Sequence, residues 1–75
     1  MNQTELSALL QQSGFPHDSY SIGKDKDESL CLINDGLGWV MFYSERGRRS
    51  HPEYFQTEEA ACAAFLASLK HMLGY

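Results

Sequence analysis

The chain has little of several things that would announce its chemistry. It holds only two cysteines, Cys31 and Cys62, too few and too irregularly spaced for a disulfide framework. Cys31 lies in the apolar run SLCLIN and Cys62 among alanines, so both read as small buried hydrophobes, with a single bridge between them left open. None of the three histidines, His17, His51 and His71, stands at ligand spacing from another His, Cys or carboxylate, so no metal site is expected. No glycine-rich loop leads into a helix, which removes the usual phosphate cradle, and no cofactor is expected. No apolar run approaches the length of a membrane span, and the N-terminus MNQTELSALLQQ lacks the basic and apolar regions of a secretory signal. These absences lead to the expectation of a reduced, cytoplasmic, soluble protein with no membrane contact.

Positive charge is also scarce. Ten acidic side chains stand against six basic ones, a net charge of -4. Nucleic-acid binders displace condensed counterions with a positive surface, so the overall sign disfavours that class, although a local basic patch is compatible with it. An acidic surface suits solubility and the electrostatic capture of a basic protein partner. At 75 residues the chain is expected to form one domain spanning residues 1–75. A domain of this size buries only about 60% of its unfolded surface, which leaves little interior for a deep substrate pocket.

What is present is a clear order of elements. Asn2 with Glu5 three residues on has the pattern of a capping box, followed by Leu6, Leu9 and Leu10 at helical spacing. Gly14 and Pro16 then stop that helix. DSYSIG reads as a brief strand, KDKDE as a solvated turn and SLCLIN as a buried strand. Asp35-Gly36 is a strong hairpin signal leading into the strand WVMFYSE. Along that strand Trp39, Met41 and Tyr43 share one face, and Val40 and Phe42 the other. RGRRSHP reads as a loop, and EYFQ as a fourth short strand confined to an edge by Pro52. Thr57 then caps a helix whose first turn carries Glu58 and Glu59 and whose apolar face runs through Ala61, Cys62, Phe65, Leu66, Leu69, Met72 and Leu73. The expected fold is α+β, αβββα or αββββα: an antiparallel sheet of three or four strands with both helices on one face. The other face, also apolar, would be left for a partner.

Two charged stretches carry the functional candidates. SERGRR brings Glu45 together with three guanidiniums, Arg46, Arg48 and Arg49, within five residues. Arginine forks bind carboxylates and phosphates and are enriched at protein interfaces. Three readings stay open: a protein contact, internal pairing with Glu45, Glu53 and Glu58, or nucleic-acid binding with Tyr43, Tyr54 and Phe55 as stacking partners. Arg48 and Arg49 are the sharper candidates, because the fold gives them no other task. The second stretch is the acidic turn with Asp25, Asp27 and Glu28, which would gather with Asp35 if the two loops share one end of the sheet. Ser44, Glu45 and His51 have the residue types of a hydrolytic triad, but a small domain offers them no second wall or oxyanion hole, so no enzyme is expected.

The string GWVMFYSERGRR followed by YFQTEEAACAAFLASL, from Gly38 to Leu69, resembles small bacterial immunity proteins of polymorphic toxin systems. The shared features are an aromatic strand running into a Y-S-E-R-G turn, here Trp39 and Tyr43 to Gly47, then Phe55 before a helix with an E-x-A-C core, here Glu59, Ala61 and Cys62. The resemblance implies a non-catalytic inhibitor that binds the cognate toxin domain in the cytoplasm and occludes its active site. On that reading Glu45, Arg46, Arg48 and Arg49 contact the toxin, and Asp25, Asp27 and Glu28 form a second, acidic contact. The doubled arginine and the SHP extension depart from the pattern. The alternatives are a small regulatory or nucleic-acid-binding module using the arginine loop, and a homodimer formed through the exposed sheet face.

Overall fold

A computed structural model describes all 75 residues. The first helix, α1 (Gln3–Gln12), starts at the expected capping box: Asn2 Oδ1 accepts the Glu5 N–H at 2.8 Å, and Glu5 Oε1 accepts the Asn2 N–H at 3.0 Å. It ends where Gly14 takes φ +77°, a left-handed conformation that costs glycine no Cβ clash. The Gly14 N–H then reaches the Gln11 carbonyl and the Phe15 N–H that of Leu10, the paired bonds of a Schellman turn. This turn carries Phe15 back into the core, where it is 4% exposed. The last helix, α2 (Glu58–Leu73), opens on Thr57, whose Oγ1 accepts the Ala60 N–H at 3.1 Å. Its end repeats the pattern, with bonds from Gly74 to His71 and from Tyr75 to Lys70. The Phe15 and Tyr75 rings meet at 4.8 Å, so the two helix ends are pinned together.

Between the helices run a 3-10 turn (His17–Ser19) and four strands: β1 (Tyr20–Ile22), β2 (Ser29–Asn34), β3 (Trp39–Glu45) and β4 (Arg48–Phe55). They form one sheet in the order β1-β2-β3-β4, and the fold is α+β with four strands. The β2–β3 and β3–β4 pairs are antiparallel as expected, but β1 pairs with β2 in parallel, Tyr20 opposite Leu30. Short connections ordinarily join antiparallel strands, and parallel pairs need a crossover of about a dozen residues. The three-residue length of β1 relaxes that requirement. The chain has to retreat only about 10 Å, three residues at roughly 3.3 Å each, before entering β2. The connection at residues 23–28 spans that distance without a helix.

The helix-side core is built as the periodicity predicts. Leu6 and Leu10 of α1, and Ala61, Cys62, Phe65 and Leu69 of α2, are all 0% exposed. They pack on Leu30, Leu32 and Met41, flanked by the half-buried Trp39 and Tyr43. Leu66 and Leu73 are half-buried at the margin of the core, and Met72 is exposed.

The opposite face departs from expectation. Rather than lying open, Cys31, Val40 and Phe42 are 0–1% exposed and form a second, smaller core with Ile33. The returning β1–β2 connection folds over this face. Ser21 Oγ donates to the Lys24 carbonyl at 2.7 Å, Ser29 Oγ to the Lys26 carbonyl at 2.6 Å, and the Lys26 N–H to Cys31 Sγ at 3.4 Å. Two serines thus satisfy loop carbonyls that would otherwise be stranded against the sheet. The cysteines are both free, with Cys31 in the outer core and Cys62 in the helix-side core, so the sheet separates them. Burial and the Glu58 carboxylate push the Cys62 thiol above its ordinary pKa, which keeps it neutral.

Candidate partner interface at one end of the sheet

Register places the arginines more narrowly than the sequence did. Glu45 pairs with Arg48, so the β3–β4 connection is the two-residue turn Arg46-Gly47 and not a seven-residue loop. Both turn residues have positive φ, 52° at Arg46 and 77° at Gly47. That is the signature of a type I′ turn, whose twist matches the flanking strands. Arg48 and Arg49 therefore lie on β4 itself, and successive strand residues face opposite ways. Arg48, opposite Glu45, shares the helix-side face with Tyr43, whereas Arg49, opposite Ser44, shares the outer face with Phe42. The SHP segment is an irregularity within the strand, with the register shifting between Met41 and Tyr43 and His51 at φ 52°. Pro52 is tolerated because β4 is an edge strand.

The acidic turn comes to this same end. The Glu28 N–H donates to the Ser44 carbonyl at 2.7 Å, and Asp27 Oδ1 accepts the Gly47 N–H at 3.2 Å. Asp25 Oδ2 lies 3.5 Å from Arg49 Nε. All seven candidate residues thus surround the β3–β4 tip: Asp25, Asp27, Glu28, Arg46, Arg49 and the Glu45–Arg48 pair that closes the turn. Asp35 is not among them. Its carboxylate caps the Leu37 and Gly38 N–H groups in the β2–β3 turn, at the far end of the sheet.

Charge balance at the tip is uneven. Arg49 is held twice, by Asp25 and by the Phe42 ring, whose centroid lies 4.4 Å from the guanidinium carbon. The expectation that nothing in the fold requires Arg49 is therefore corrected: it lies over the outer core. Both partners of its ion pair are nearly half exposed, so the pair contributes about 0–1 kcal/mol and acts mainly to orient the side chain. Arg46 and Arg48 pair with no carboxylate; the ion pairs are Arg49–Asp25 and Lys26–Asp18. The internal partners expected for the arginines do not engage them, and Glu58 instead accepts the Gln3 N–H at 2.8 Å, joining the two helix N-termini.

Glu45, Arg46, Arg48, Arg49 and Ser50 line an open depression with no hydrophobic residue in it. Ser50, which the sequence did not single out, shares a 2.9 Å hydrogen bond with His51 Nδ1. Nothing in a serine following an arginine pair signals that placement. The proposed stacking platform does not assemble: Tyr43 and Phe55 pack into the helix-side core, and the exposed Tyr54 sits opposite Val40, six residues beyond Arg48 on β4.

Arg46 is the clearest sign that the tip is not shaped for stability alone. An L-residue in the left-handed region costs roughly 1 kcal/mol, and asparagine is the favoured type at the first position of this turn. Arg46→Asn should raise stability by about 0.5–1 kcal/mol, seen as a rise in the thermal midpoint of roughly 3–6 °C for a domain of this size. An unchanged or lowered midpoint would show that the arginine side chain supports the fold.

Fold and site together define a small α+β domain with a charged, self-braced sheet end. The chain matches no protein-family model, and comparison with curated proteins and with solved structures also gave no match. No helix is long and apolar enough to cross a membrane.

Proposed function

We propose that this protein is a non-catalytic cytoplasmic immunity protein, which binds a cognate secreted toxin domain and occludes its active site. The observation that carries the reading is the convergence at one sheet end of two charged stretches about 20 residues apart in sequence, joined by the Asp27–Gly47 hydrogen bond. Backbone bonds and a covered core hold the patch in place before any partner arrives, and such preorganisation lowers the entropy lost on binding. Arg46 and Arg48 remain free to pair outward, and Glu28 and Glu45 offer carboxylates beside them. The Y-S-E-R-G string that carries the resemblance is the end of β3 plus the type I′ turn, so it frames the patch.

The nucleic-acid alternative loses support from the same geometry. Its stacking residues are half-buried against the core or distant, and acids flank the arginines where a phosphate backbone would run. Dimerisation by edge pairing along β4 is disfavoured by the irregularity at His51 and by Pro52, which lacks an N–H. Co-expression with the toxin encoded beside this gene should restore growth, and the two chains should co-purify. Continued killing with no co-purification would sink the reading. A salt titration with labelled RNA and DNA should show no micromolar binding at physiological salt.

A further inference from the structure

We infer that the arginine-lined depression at the β3–β4 tip takes a single carboxylate side chain from a loop of a protein partner, with Arg46 and Arg48 as its donors. The inference deepens the immunity reading and rests on it for the partner's identity, while the ligand chemistry rests on the tip itself. The depression is lined wholly by polar and charged residues, so its occupant is polar. Three guanidiniums contribute to that lining, and one is already committed, since Arg49 is drawn back by Asp25 and Phe42. The two without an ion-pair partner, Arg46 in the turn and Arg48 on the first residue of β4, flank Gly47. Guanidiniums that line one depression repel each other, and an anion bound between them turns that repulsion into attraction.

A compact anion fits this setting better than a polyanion. Asp25 and Asp27 are anchored immediately beside the arginines, and Glu45 forms part of the lining. A nucleic-acid backbone, with one charge per roughly 1.7 Å of duplex, would have to pass these carboxylates to reach the guanidiniums. A single carboxylate meets no such barrier and matches the fork geometry of arginine. The flanking acids also screen out larger anionic surfaces, so repulsion contributes to specificity.

The tip is held ready for such a ligand. Of the three non-glycine residues with positive φ, Arg46 lies in the turn, Glu28 is bonded to Ser44 beside it, and His51 lies at the irregularity in the middle of β4. The Gly47 N–H is tied to Asp27 and the Ser44 carbonyl to the Glu28 N–H, which fixes the turn on both sides. Sparsely populated backbone conformations persist where surrounding structure holds them, and they concentrate where a side chain has to be aimed.

The test is an NMR titration of the isotope-labelled full chain with three probes: a short, otherwise neutral peptide carrying one glutamate, inorganic phosphate and a single-stranded oligonucleotide. The peptide should shift the amides of Arg46, Gly47 and Arg48 and the Nε–H signals of Arg46 and Arg48 saturably, with Kd on the order of millimolar, as expected for exposed pairs without a surrounding rim. The Arg46→Gln/Arg48→Gln variant should bind about tenfold more weakly or not at all, and Lys70→Gln, on the last turn of α2, should bind as the wild type does. Phosphate should shift the same signals, and the oligonucleotide should bind no more tightly than phosphate. Absence of saturable shifts at the tip, equal loss in Lys70→Gln, or an oligonucleotide bound tenfold more tightly than the peptide would each overturn the inference. Protection from the toxin without peptide binding would remove this site and leave the immunity reading standing. Peptide binding without protection would do the reverse.

Discussion

Replacing Phe65 with alanine should remove about 3–5 kcal/mol of stability, the range for deleting a buried aromatic ring from a core that relaxes only in part. Phe65 is 0% exposed at the middle of α2 and belongs to the cluster that joins both helices to Leu30, Leu32 and Met41. A 75-residue chain has roughly 4–11 kcal/mol in total, so the loss is a large fraction of it and would unfold a chain at the low end of that range. Chemical denaturation followed by circular dichroism measures this directly, with the midpoint falling and the slope unchanged. Met72 supplies the control. It belongs to the same apolar face by periodicity but is 42% exposed in the last turn of α2. Met72→Ala should stay within about 0.5 kcal/mol of the parent. Equal losses at the two positions would mean that the periodic stripe, rather than actual burial, sets the energetics, which the packing contradicts.

That contrast shows where sequence patterns are informative. Helix limits were legible because they rest on local chemistry: Asn2 and Glu5 bond each other, Thr57 bonds Ala60, and Gly14 turns the chain within one residue. The alternation of Trp39, Met41 and Tyr43 against Val40 and Phe42 was legible for the same reason, since both cores follow from strand period. The start of β4 was not legible. Arg48 and Arg49 are exposed on an edge strand that has a neighbour on one side only, so no apolar alternation marks them. The turn before them carries an arginine where asparagine would have announced a hairpin.

The parallel β1–β2 pair was hidden by a different cause. Its connection is rich in charge and reads as solvated, yet its backbone lies against the outer face and is satisfied there by Ser21 and Ser29. Those two serines were the available signal, one on each side of the KDKDE run and both within reach of its carbonyls. The seven candidate site residues were found as residue types, and all seven surround the tip, whereas Asp35 lies at the far end of the sheet; their division of labour required the register. One residue of strand offset separates Arg48, on the helix-side face with no carboxylate partner, from Arg49, which closes over Phe42 on the outer face.

Phe42 is therefore the position where core and site meet, and Phe42→Ala should have two separable consequences. The ring is 1% exposed and, with Cys31 and Val40, fills the outer core, so its removal should lower stability by about 3–5 kcal/mol. It is also the surface on which Arg49 rests, and Arg49 in turn holds Asp25 on the connection that carries Asp27 to the Gly47 N–H. Losing the ring should free Arg49 and loosen the acidic loop, read as altered chemical shifts for the Gly47 amide and the Arg49 Nε–H in the fraction that remains folded. Phe42→Leu separates the two effects. Leucine keeps most of the buried volume but offers no ring face, so the stability loss should fall to about 1–2 kcal/mol, of which roughly 0.5–1 is the lost cation–π contact. The Arg49 signal should nevertheless move as far as it does in the alanine variant. If Phe42→Leu leaves the Arg49 and Gly47 signals in place, the ring does not position the tip, and the hydrogen bonds from Asp27 and Glu28 hold it alone. If both signals move in both variants, the small outer core serves as the platform of the charged patch, and the aromatic density of β3 serves the site as well as the fold.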